Sequence, residues 1–114
     1  MKVSIPIPLK KALPIRPNER GHSRYSAGTT RKHRRMGELA ILGQPFMPGL
    51  PVVVTLTRVS RGAPDDDNVV GAFKAFRDGV ADAFGVRDNH PDITWRYASA
   101  KGAPAIVVDV EDRA

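Results

Sequence analysis

Cysteine is absent from the 114 residues. Neither a disulfide framework nor a thiolate metal site can therefore exist, and any metal ion must be held by oxygen or imidazole ligands. Long apolar runs are missing as well: no stretch approaches the ~20 residues that a helical membrane span needs. Met1 to Leu9 has one early lysine and no apolar segment of signal-peptide length. The expectation is a soluble, untargeted, cytoplasmic protein with no membrane partner. There is no internal repeat and no low-complexity tract. His33 and His90 show no metal-ligand spacing, no Ser/His/Asp arrangement stands out, and no glycine loop is built to cradle phosphate. Both histidines read as incidental.

What is present is positive charge, unevenly placed. The net charge of +6 arises from two unlike halves. Residues 1–62 carry twelve Lys/Arg against two glutamates, whereas residues 63–114 carry six against ten acidic residues. A basic surface on a small domain is the electrostatic footprint of a polyanion, because each phosphate it neutralises releases counterions. Nucleic acid is the leading partner, against a merely solubilising charge excess. The length predicts one domain, 1–114, small enough that pairing with a second copy would help it bury apolar surface.

Val3, Ile5, Ile7 and Leu9 alternate as in a strand, and Pro6 and Pro8 confine it to a sheet edge. Residues 10–30, with Pro14, Pro17, Gly21 and Gly28 among scattered Lys and Arg, read as a basic loop. Thr29 or Thr30 can cap a helix running to Leu42, with Gly43 as its stop and Met36, Leu39 and Ala40 on its packed side. Arg31, Lys32, His33, Arg34 and Arg35 then crowd its first turns, where the helix dipole disfavours positive charge. That placement favours a nearby phosphate over a plain solvated face. Val52 to Val59 is the clearest strand and should be central. Ile93 to Ala98 and Pro104 to Val110 read as a hairpin turning at Lys101-Gly102. The whole is a small α/β (α+β) domain: a mixed sheet of about four strands with two main helices.

Asp65-Asp66-Asp67-Asn68 opens the second helix, with Asp66 or Asp67 as N-cap and Gly85 as stop. Val69, Phe73, Phe76, Val80 and Phe84 form its apolar stripe. On the other face Asp67, Gly71, Lys74 and Asp78 align. Adjacent carboxylates at ~4 Å and an effective dielectric of ~20 repel by several kcal/mol, a cost that a divalent cation removes. Hard carboxylate donors favour Mg²⁺ or Mn²⁺ over zinc. Strand alternation singles out Asp65 and Asp67 as ligands, while an acid-rich helix cap without metal would account for the same residues. Lys74 can lean back towards the acidic run and stabilise a phosphate transition state, or pair with Asp78. Trp95 and Tyr97 share one strand face and read as core or dimer surface rather than as base-stacking platforms.

The pattern Asp65-x-Asp67-Asn68, with Lys74, Asp78, Gly85, Arg87-Asp88 and Lys101-Gly102, resembles the RusA family of Holliday-junction resolvases, metal-dependent endonucleases of bacteria and their prophages. The likeness covers about Val52 to Val110, with a looser echo in Pro6 to Arg35. It implies that Asp65, Asp67 and Asp88 hold Mg²⁺, that a homodimer cuts four-way DNA junctions in recombination and repair, and that Lys74 assists catalysis. Arg31, Lys32, Arg34, Arg35 and Lys101 are the expected DNA contacts. The sequence departs from the family pattern at Gly71, where a lysine is usual, and at Arg87, where a second aspartate is usual. Asp92 is a possible substitute for the latter. The alternative is a non-catalytic nucleic-acid-binding protein whose acidic cluster only caps a helix.

Overall fold

Alternating apolar residues and β-branched runs build four strands, and two amphipathic segments build the helices that cover them. The computed structural model describes residues 1–9, 23–62 and 73–113. Its elements are β1 (Lys2–Pro8), α1 (Ser23–Leu42), β2 (Val52–Ser60), α2 (Lys74–Phe84), β3 (Ile93–Lys101) and β4 (Ala105–Asp112). The strands form one mixed sheet in the order β1-β4-β2-β3. This is the expected α+β architecture, with β2 inside the sheet and the proline-bearing β1 at an edge. No helix among the described residues is long and apolar enough to cross a membrane.

Register explains the core. Ile5, Val108, Leu56 and Tyr97 lie in one row across the sheet, and Val3, Val110, Val54 and Trp95 in the next. These rows face the helices and share one apolar cluster with Ile41, Phe76 and Val80. The opposite face presents Ser4, Asp109, Thr55 and Arg96 in register. Period-two alternation thus separates a packed face from a polar one.

The hairpin expected between Ile93 and Val110 does not form. β3 pairs with β2 in parallel, and β4 pairs antiparallel with the other side of β2. The connection steps over the end of β2, where the Gly102 N–H donates to the Ser60 carbonyl at 2.8 Å. Crossing one strand requires about 10 Å, two strand spacings, within reach of the four Cα steps from Lys101 to Ala105. A hairpin would cost less loop entropy, but placing β2 inside the sheet gives both its edges hydrogen-bonding partners. Val52, Val54 and Leu56 are then completely buried.

Helix α1 begins at Ser23, not at Thr29 or Thr30. Of the expected loop at 10–30, Ser23–Thr30 therefore forms helix, and residues 10–22 lie outside the described residues. Gly28 costs a helix about 1 kcal/mol without ending it. As a consequence Arg31 to Arg35 lie in the third and fourth turns rather than the first, beyond the reach of the N-terminal dipole. The packed side also differs: Gly37 and Ile41 are buried and Met36 and Ala40 partly so, but Leu39 is 51% exposed. Gly43 does stop the helix, its N–H bonding the Leu39 carbonyl at 2.9 Å.

The two helices run antiparallel and touch backbone to backbone. A Cβ on Gly37 would strike the Phe76 carbonyl oxygen, and one on Gly79 the Arg34 carbonyl oxygen. Only glycine permits this approach. Of the expected stripe, Phe73 just ahead of α2 and Phe76 and Val80 within it are fully buried. The helix ends at Gly85, whose φ of 76° is left-handed. The Val86 N–H then reaches the Ala81 carbonyl and the Gly85 N–H the Asp82 carbonyl, the paired bonds of a Schellman ending. The helix begins at Lys74 with Phe73 at its N-cap and no side-chain capping bond, not at Asp66 or Asp67 as expected, so those aspartates do not cap it; they and Val69 lie outside the described residues.

Candidate active site

The chain reversal at Gly85 sends residues 86–92 back along α2, and this brings Asp88 beside the first turns of the helix. Lys74 Nζ donates to Asp78 Oδ1 at 3.0 Å and to Asp88 Oδ2 at 3.1 Å. The first is the expected i,i+4 pair; the second joins two residues that only the family resemblance had linked. The two carboxylates are about one-quarter exposed, whereas Lys74 is 65% exposed. Hydrogen bonds to Asp78 and then Asp88 hold the Lys74 ammonium above its ordinary pKa. Reciprocally, the bond from Lys74 holds the Asp88 carboxyl below the usual carboxylate range.

Beneath this pair lies a residue that sequence reasoning missed. Arg77 Nη1 donates to Tyr97 Oη at 2.6 Å and Nη2 to the Asp88 carbonyl at 3.2 Å. Its guanidinium carbon stands 4.8 Å from the centre of the Trp95 ring, within cation–π range. Trp95 Nε1 donates to the same Asp88 carbonyl at 2.7 Å. Trp95 and Tyr97 thus belong to the packed face, and their polar atoms anchor the loop. The signal in the sequence was the run Lys74-x-x-Arg77-Asp78, which places a second cation one turn beyond the lysine.

Asp65 and Asp67, with Asp66, Asn68 and Gly71, lie outside the described residues. Among the described residues no three acidic or histidine side chains gather as a metal cage. Of the three carboxylates expected to hold the metal only Asp88 is among the described residues; its oxygens are hard donors of the type a divalent cation takes, and Oδ2 here meets the Lys74 ammonium. Asp92 is directed elsewhere, with Oδ1 3.6 Å from Arg113 Nη2. His90 accepts the Asp92 N–H at Nδ1, a local loop contact. His33 is half-buried, and burial, helped by Lys32, lowers its pKa.

The expected DNA contacts divide into two kinds. Arg31 and Lys32 are exposed on α1, and Lys101 is exposed at the end of β3. Arg34 is engaged, its Nε and Nη2 donating to the two Asp82 oxygens at 2.6 and 2.9 Å. That fork raises the Arg34 pKa, with smaller contributions from Asp78 and Glu38, and lowers that of Asp82. Arg35 makes a loose 3.9 Å pair with Glu38. The Arg34–Asp82 bridge ties the basic stretch of α1 to the helix that carries Lys74 and Asp78.

No protein-family model matches the chain. A protein of Xylella fastidiosa (strain Temecula1), described as an uncharacterized protein, is 30% identical to it over 100 residues. The match takes in 78% of this chain and 63% of the relative, so the chain spans less than two thirds of that protein's length.

Proposed function

We propose that this protein is a Mg²⁺-dependent, structure-selective endonuclease of the RusA type, which acts as a homodimer and resolves four-way DNA junctions in recombination and repair. The observation that carries the reading is the Lys74–Asp88 pair, 3.1 Å long and closed across fourteen positions of sequence. Asp65, Asp67 and Asp88 are the residues that would hold Mg²⁺, or Mn²⁺ in its place. When bound, the cation supplies an activated water and offsets phosphate charge. The protein's own residues do the rest. Lys74, released from Asp88, turns its ammonium towards a phosphate oxygen while Asp78 keeps it oriented. Arg31, Lys32 and Lys101 hold backbone phosphates, which suits a substrate recognised by shape. Arg34 and Arg35 reach DNA by leaving their carboxylate partners.

A second reading, a non-catalytic nucleic-acid-binding protein, is favoured by one feature: Lys74 already compensates Asp78 and Asp88 without a metal. Incubation with synthetic four-way junctions and linear duplex, in Mg²⁺ or EDTA, separates the two. Junction cleavage that requires Mg²⁺ is the expected result; tight binding with no cleavage would leave the binding protein.

A further inference from the structure

Asp88 Oδ2 is met by two cations of different character. Lys74 is largely exposed and sits on a flexible stem, so its bond to Oδ2 is readily exchanged. Arg77 is 22% exposed and has no such freedom. Its guanidinium fork spans Tyr97 Oη and the Asp88 carbonyl while its plane rests on Trp95. Its buried Nε makes no hydrogen bond and faces Asp88 Oδ2 at 3.3 Å as a charge alone. Both cations therefore meet the same carboxylate oxygen, Arg77 held in place by its other partners and Lys74 free to be replaced.

We infer that Arg77 is the positioning residue of the site, fixing the Asp88 loop and carboxylate so that a divalent cation can replace Lys74 there. The inference rests on the metal-dependent reading above and assigns Arg77 no contact with DNA. Arg77 should then act only through Asp88. Groups that orient a metal ligand from behind typically alter metal affinity by about 10- to 100-fold when removed.

The chain contains a built-in reporter. Its single tryptophan is Trp95, whose indole N–H bonds the Asp88 carbonyl. Mg²⁺ titration followed by the indole ¹H–¹⁵N signal reads occupation of the site without any cleavage assay. The wild-type signal should move to a saturable end point. Arg77→Met should raise the midpoint about tenfold or more and leave junction affinity in EDTA unchanged. In an Asp88→Asn background the same substitution should add nothing. Excess Mg²⁺ should restore cleavage to Arg77→Met but not to Asp88→Asn. Arg77→Lys keeps the charge but loses the fork and the stacking plane, so it should also raise the midpoint. It serves as the test if circular dichroism shows Arg77→Met unfolded. A responsive wild type with an unmoved midpoint in the folded Arg77 variant, or a further rise in the Asp88→Asn background, would overturn the inference alone. An indole signal indifferent to Mg²⁺ in the wild type, with no Mg²⁺-dependent cleavage, would overturn the metal-dependent reading and the inference with it.

Discussion

Gly79→Ala and Gly28→Ala make the same chemical change in two helices and should move stability in opposite directions. In an open helical position, alanine is preferred over glycine by about 0.5–1 kcal/mol. A Cβ on Gly28 meets nothing within 4 Å, so that gain should appear in full. At Gly79 the new methyl collides with the Arg34 carbonyl oxygen and crowds the Glu38 backbone nitrogen at 2.9 Å. Both obstacles are backbone atoms of a packed helix and cannot rotate aside, so the helices must separate. Overpacking of this kind costs about 1–3 kcal/mol, here at the upper end. Set against the propensity gain, the net loss is about 2 kcal/mol, or roughly 10 °C in Tm for a domain of this size. Gly28→Ala should raise Tm by a few degrees. Thermal and urea unfolding followed by circular dichroism measures both. A Gly79→Ala protein as stable as the wild type would refute the close helix approach, and so the framework that ties Arg34 to α2.

Lys74→Ala should lower turnover on junctions while leaving the unfolding midpoint nearly unchanged, because its ion pairs are exposed and such pairs contribute about 0–1 kcal/mol; unchanged turnover would remove its catalytic role. Asp82 has its pKa lowered by Arg34, so the stability it contributes is present above the unfolded carboxylate value and declines as pH falls through the folded one. Asp82→Asn should therefore flatten the acid limb of a stability–pH curve, and an unaltered limb would contradict the pairing. Arg31→Ala with Lys32→Ala should reduce the slope of log binding constant against log salt by about one for each phosphate no longer neutralised, as read by fluorescence anisotropy.

The elements that could be read from the sequence are those in which one local rule dominates. β2 is recognisable by its β-branched run, β1 by the prolines that hold it at an edge, and α2 by Phe73, Phe76, Val80 and its glycine stop. Strand pairing was not legible. The Lys101-Gly102 turn suits a hairpin, and nothing local to it records that β2 needs a partner on each side. The start of α1 was hidden because Gly28 lowers helix propensity inside a helix that packs tightly at Gly37. The meeting of Lys74 with Asp78 follows from helical spacing. Its meeting with Asp88 depends on the reversal after Gly85, which spacing does not encode. Arg77 was missed because its partners, Trp95, Tyr97 and the Asp88 carbonyl, lie on elements eleven to twenty positions away.

Everything proposed for function depends on the carboxylate held by Lys74 and Arg77 belonging to a metal-dependent phosphodiester site completed by the aspartates at 65 and 67. The decisive comparison sets wild type beside Asp67→Asn and Asp88→Asn on a synthetic four-way junction, scoring Mg²⁺-dependent cleavage and EDTA-stable binding on the same samples. Both variants should lose cleavage and bind the junction as tightly as wild type or more tightly. Cleavage that persists in Asp88→Asn would contradict the assignment.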